Sequence, residues 1–105
     1  MYTRNVSMRL KANSGPEFTR TLENEVIPML RKQKGFRDEV TLIAPERNEV
    51  VAISFWDKKE DAESYNREKY PEILKILSKV VEGTPRVELF EVANSTSYQI
   101  AAKAA

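Results

Sequence analysis

Residues 50–56, VVAISFW, are the feature that most limits what this chain can fold into. The run is short enough for a strand, rich in β-branched and aromatic residues, and almost without a polar interruption. A strand of this kind is covered on both faces, which places it near the centre of a sheet. A second strand is read from RNVSMRLKA, where Val6, Met8 and Leu10 alternate with Asn5, Ser7, Arg9 and Lys11. Its alternation predicts one buried and one polar face. FRDEVTLIA alternates through Phe36, Val40 and Leu42 and joins residues 50–56 through the turn PERNE, so these two form a hairpin. RVELFEV is the last strand.

Helical spacing separates these strands. Phe18, Leu22, Val26, Met29 and Leu30 make one apolar stripe, opened by a capping box of Ser14 and Glu17 with Pro16 in the first turn. Pro28 inside that stripe removes a backbone donor and predicts a kink or an end near Ile27, with Gly35 as the stop. A second helix follows Trp56 directly. Asp57 and Glu60 read as its capping box, Pro71 breaks or re-aims it, and Ile73, Leu74, Leu77 and Val81 face inward until Gly83 and Pro85 end it.

The resulting order, β-α-β-β-α-β, is the ferredoxin-like α+β arrangement with one four-stranded antiparallel sheet. Two right-handed crossovers put both helical segments on one sheet face and leave the other bare. Ser7, Arg9, Thr41, Ala52, Ser54, Trp56, Phe90 and Val92 are the residues expected there. An apolar patch of that size calls for a partner, and a second copy meeting it face to face is the expected one. At 105 residues the chain makes a single domain, residues 1–105, with its core within about 4–93 and a tail of residues 94–105 that lacks a pattern.

Composition removes several chemistries. The chain has no cysteine and no histidine, so disulfides, thiolate nucleophiles, imidazole bases and imidazole ligation of zinc or haem are all excluded. A net charge of +1 predicts no strong field for nucleic acid or anionic lipid. An RNA-recognition module of the same topology needs exposed aromatics on its central strands, and the first strand has none in its alternating core. No apolar run suits a signal peptide or a membrane span, so the expected location is the cytoplasm. The acidic run Asp57, Glu60, Asp61 and Glu63 belongs to a first helical turn rather than to a metal site.

The segments SGPEFTRTLENEVIPMLRKQKGF and VVAISFWDKKEDAESY resemble the antibiotic biosynthesis monooxygenase family of the dimeric α/β-barrel superfamily. The shared features are a capped first helix ending in Pro, basic residues and Gly-Phe, and a strand that ends in Trp and runs straight into the second helix. The resemblance spans about residues 4–93. It implies a homodimer joined through the sheet faces and a pocket in each subunit between its own helices and sheet. The haem-degrading branch of the family needs an Asn, a Trp and a His, where this sequence offers Met8, Tyr65 and Ile76 or Leu77. That activity is therefore not expected.

The remaining expectation is a cofactor-independent monooxygenase that oxidises a small aromatic or quinol-type metabolite with O2 and needs neither metal, flavin nor haem. Tyr65 and Tyr70 are its candidate catalytic donors. Trp56, Tyr65, Tyr70, Asn66, Arg67, Ser54 and Asn5 are the candidate substrate contacts. Each has a plainer alternative: Trp56 and Tyr65 as core, Tyr70 as packing beside the helix break, Asn66 and Arg67 as solvated helix positions. The alternative for the whole protein is a non-catalytic dimer of the same fold that binds a small ligand or merely assembles.

Overall fold

In the computed structural model, which describes residues 1–100, four strands form one antiparallel sheet in the order β2-β3-β1-β4. The strands are β1 (Tyr2–Leu10), β2 (Phe36–Ala44), β3 (Glu49–Trp56) and β4 (Val81–Glu91). The apolar run of residues 50–56 is central, as its composition requires, paired with β1 on one side and β2 on the other. The α+β ferredoxin-like fold expected from the element order is therefore present. The last five positions of the expected tail lie outside the described residues.

The first crossover is built from α1 (Gly15–Thr21), a π-helical turn (Leu22–Val26) and α2 (Ile27–Arg31). Phe18, Leu22, Val26 and Leu30 recur every fourth residue and are all buried. In a regular α-helix a four-residue repeat drifts around the axis by roughly 40° per step. The wider π turn offsets that drift and keeps the four side chains on one face. It also meets the problem posed by Pro28, whose missing N–H and bulky ring disfavour a regular α-helical bond to the residue four earlier.

The second crossover comprises α3 (Lys59–Glu68) and α4 (Tyr70–Leu77), broken at Lys69 with Pro71 in the first turn of α4. Neither expected capping box forms. Ser14 occupies the cap of α1 without a side-chain hydrogen bond, and α3 is capped at Lys58, also without one. Asp57 pairs instead with the Arg37 guanidinium across the start of the hairpin. Gly35 adopts φ 79°, and a side chain there would run into Asp61, so a glycine is required where the first crossover returns to the sheet.

Gly83 and Pro85 do not end a helix. They lie within β4, where the pairing with β1 shifts between Ser7 and Arg9. Gly83 takes φ 73°, and Pro85 lacks a ladder donor, which is the chemistry of an irregular edge strand. Val81 accordingly packs from β4 and not from the helix.

The face assignments of β2 and β3 also differ from expectation. Ala52, Ser54 and Trp56 point to the helix side with Val50, in register with Val6, Arg4 and Tyr2 of β1. Thr41 and Glu39 join them, because a bulge between Phe36 and Asp38 flips the phase of β2. Val40, Leu42, Val51, Ile53 and Phe55 therefore share the open face with Asn5, Ser7 and Phe90.

Candidate functional site

Between the helices and the sheet lies a cavity of about 40 Å3, room for about three water molecules. Val6, Met8, Phe18, Leu22, Val26, Leu30, Ile73 and Leu77 form its apolar wall. Its polar lining is short: Arg4, Glu39, Ser54, Tyr65 and Tyr70. The π turn contributes Leu22 and Val26, and the break between α3 and α4 places Tyr70 at the rim.

Arg4 dominates the electrostatics. It shares the inward phase of Val6, Met8 and Leu10, so the strand carries a guanidinium into the core, where the residue is only 3% exposed. Its Nε and Nη2 both donate to Asn66 Oδ1, at 3.1 and 2.7 Å. Its cationic carbon sits 4.0 Å from the ring centroid of Tyr70 and 5.1 Å from that of Tyr65. Such contacts stabilise a partly desolvated cation without cancelling its charge. Among the described residues no carboxylate forms an ion pair with it. Burial pushes the guanidinium below its ordinary pKa, opposed by the two tyrosines. It stays charged, since even a lowered arginine lies far above neutrality.

The neighbouring acids are shifted toward their neutral forms. Burial pushes the Tyr65 hydroxyl up to about 12 against the pull of Arg4, and burial also raises Tyr70. Both remain hydrogen-bond donors at neutral pH. Glu39 is raised by burial as well, with a hydrogen bond from Thr41 Oγ1 opposing the rise. A carboxyl poised in this way can take up or return a proton.

The aromatic cluster behind this pocket is core. Trp56 is fully buried, with Tyr65 tilted against it at 5.1 Å and Phe36 edge-on at 5.7 Å. Its Nε1 donates to Ser54 Oγ at 2.8 Å. Trp56 thus braces Tyr65 from behind and does not line the cavity.

Of the residues anticipated from sequence, Ser54, Tyr65 and Tyr70 line the cavity and Asn66 holds its arginine. Arg67 is exposed on α3 beside Glu68. Asn5 lies on the opposite face of the sheet, opposite Ile53 and Glu88, with its Oδ1 buried and unpaired. Arg4 and Glu39 were not anticipated. Arg4 was legible, since a charge at an inward-phase strand position is itself a signal. Glu39 was not, because the bulge that turns it inward leaves no local mark.

No protein-family model and no curated protein sequence matches the chain. Solved structures do match it. A Streptomyces coelicolor monooxygenase from ActVA-Orf6, solved with nanaomycin D, superimposes with a TM-score of 0.75 at 13% identity, over 90% of this chain and 88% of that one. A proposed antibiotic biosynthesis monooxygenase from Bordetella bronchiseptica gives 0.75 at 10% identity, over 89% and 97%. The chain has the fold of the antibiotic biosynthesis monooxygenases. A Nitrosomonas europaea protein of unknown function is equally similar, with a TM-score of 0.75 at 12% identity over 97% and 95% of the two chains. Identities this low speak for the fold and not for a shared reaction. Among the described residues no helix is long and apolar enough to cross a membrane.

Proposed function

We propose that the protein is a cofactor-independent monooxygenase that oxidises a small phenolic or quinol-type aromatic with O2. The observation that carries this reading is an apolar cavity whose rim combines a charged arginine with a carboxyl of raised pKa. A phenolic substrate lying against the apolar wall would direct its oxygen to Arg4. Glu39 would accept the phenolic proton, and Arg4 would stabilise the oxyanion that forms.

The electron-rich anion then passes one electron to O2. The resulting pair combines at the ring carbon para to that oxygen, which carries a single hydrogen and shares the radical, forming a C–O bond. Glu39 returns its proton to give the hydroperoxide, then takes the remaining hydrogen on that carbon as the O–O bond breaks. One oxygen atom stays as a carbonyl and the other leaves as water, with the substrate supplying all the electrons and both hydrogens. Tyr65 and Tyr70 wall the site and offer hydroxyl donors. The apolar lining keeps water from the reactive anion.

A second reading, a non-catalytic dimer that binds a small ligand, is favoured by the small size of the cavity, about 40 Å3, which must widen to take an aromatic ring. Oxygen uptake with a panel of quinols and anthrone-like phenols separates the two. The oxygenase reading expects uptake matched by quinone formation, and loss of both in Glu39→Gln. Binding without uptake supports the second reading.

In either reading the active species is a homodimer closed through the open sheet faces. The support is the set of half-exposed apolar side chains, Val40, Leu42 and Phe90, that no helix or strand among the described residues covers.

A further inference from the structure

A buried arginine kept for structure alone is best served by a carboxylate, which cancels its charge and accepts its hydrogen bonds together. Among the described residues Arg4 has no such partner. The neutral amide oxygen of Asn66 accepts from two of its N–H groups, and its other close neighbours are Tyr65 and Tyr70, both neutral, the latter also hydrogen-bonded to it. An aspartate would be nearly isosteric with Asn66 and a stronger partner. The neutral residue therefore leaves a full positive charge at the rim of an apolar cavity.

We propose that this site is an anion receptor, taking a planar aromatic ligand that is bound as an oxyanion, with Asn66 as the positioning residue that orients Arg4 while leaving its charge free. The inference rests on the site described above and deepens its substrate class, but it concerns binding and not oxygen chemistry.

The geometry accounts for the selectivity. An arginine carries five N–H donors; Asn66 takes up two of them and the Tyr70 hydroxyl is a further partner, so the set is not exhausted. The remaining donors, fixed by the tyrosine stack, can meet a phenolate or carboxylate oxygen. The apolar wall offers nothing to a charged group, so the charge must sit at the rim and the ring must lie against that wall, widening the cavity of about 40 Å3 as it enters. Among the described residues Glu39 is the one carboxyl lining the cavity, and burial there disfavours its charged form, which lessens its opposition to an anion beside it. Two ligand sources share this chemistry. An aromatic carboxylate enters already charged, and a phenol becomes charged by giving its proton to Glu39.

Calorimetric titration of the intact protein with 2-naphthoate, neutral isosteric 2-naphthamide and 2-naphthol tests the proposal. Wild type should bind naphthoate tighter than naphthamide by on the order of ten- to a hundredfold, the effect of one charge-assisted hydrogen bond. Naphthol at the affinity of naphthoate identifies the phenol as the source, and naphthol at the affinity of naphthamide identifies the carboxylate. Asn66→Asp should abolish the preference for naphthoate while leaving the melting temperature equal to or above that of wild type. Asn66→Ala should keep the preference but weaken both affinities, because Arg4 keeps its charge and loses its orientation. Equal binding of naphthoate and naphthamide by wild type, binding of neither, or an undiminished preference in Asn66→Asp would overturn the proposal. Anion-selective binding without oxygen uptake would sustain it while removing the oxygenase reading.

Discussion

On the helix side of the sheet, Val6, Met8, Val50 and Trp56 are sealed by Phe18, Leu22, Val26, Leu30, Ile73 and Leu77, all buried. On the other side, Leu42 and Phe90, on the two edge strands, remain 53% and 50% exposed, and Val40 is open beside Leu42. The two faces draw on the same strands and the same residue types. They differ in what the chain supplies to cover them. Two crossovers seal the first face, whereas among the described residues the second has a single cover, the tail segment in which Tyr98 tilts over Phe55 at 5.5 Å and donates to Asp38 Oδ2 at 2.7 Å. The first face encloses a cavity because the crossovers close over it; the second stays apolar and largely open among the described residues, and it is the face that the proposed dimer would cover.

Substitutions on the two faces should therefore have effects of different kinds. The largest falls on the sealed face. Phe18→Ala leaves a void among packed side chains and should cost about 3–5 kcal/mol in urea unfolding. A loss under about 1 kcal/mol would mean that this face is not the core that it is drawn as.

Next comes Phe90→Arg on the open face. The wild type should sediment at close to twice the 12.1 kDa chain mass at micromolar concentration, and the variant near a single chain mass with its far-ultraviolet dichroism unchanged. A wild type that is monomeric at every concentration would break the comparison, leaving an open face without an occupant.

Within the sealed face, Tyr65→Phe and Tyr70→Phe separate site from core. Each keeps its ring, so stability should change by about 1 kcal/mol or less. If the hydroxyl meets developing negative charge, turnover should fall on the order of a hundredfold. Parallel, small losses in both would assign the hydroxyl to packing alone.

Glu39 gives the pH dependence. Its folded-state pKa is raised above the ordinary value of 4.5, so the native state holds its proton more tightly than the unfolded chain. Stability linked to this group is present below the ordinary value and is lost as pH rises through the raised one. Thermal melts between roughly pH 4 and pH 7 should show that decline in wild type and a flatter profile in Glu39→Gln. A Gln variant that declines more steeply would reverse the assignment.

The smallest effect belongs to Tyr98→Phe. The exposed hydrogen bond to Asp38 is lost and the ring contact with Phe55 remains, so the change should be about 0.5 kcal/mol or less. A large shift in dimer mass for this variant would show that the tail shapes the open face.

Much of this was legible from the chain itself, and what was not has a common cause. The element order, the inward phase of Val6, Met8 and Leu10, the four-residue stripe of the first crossover and the break at Pro71 all follow from local periodicity and from proline's missing donor. They depend on neighbours a few residues apart. Tyr70 was placed near a pocket by the same reasoning, since it sits at the helix break, whereas Tyr65 became a candidate through the family resemblance. By contrast, which way Glu39, Thr41 and Leu42 point depends on one extra residue in the pairing of β2 with β3, and a slip of one residue turns a whole strand over. Residues 50–56 could not reveal their own phase, because apolar side chains occupy both faces. Gly83 and Pro85 read as a helix stop and prove to be a strand irregularity, since both features use the same residues. The capping boxes failed where Asp57 found Arg37 across the hairpin. Arg4 and Asn66 stand 62 positions apart, and only the packing of α3 on β1 brings the amide to the guanidinium. The sequence by itself determined the order of strands and helices and the central place of residues 50–56 in the sheet. The tertiary structure decided which charges meet, because register and packing are properties of pairs of segments and are written in neither one alone.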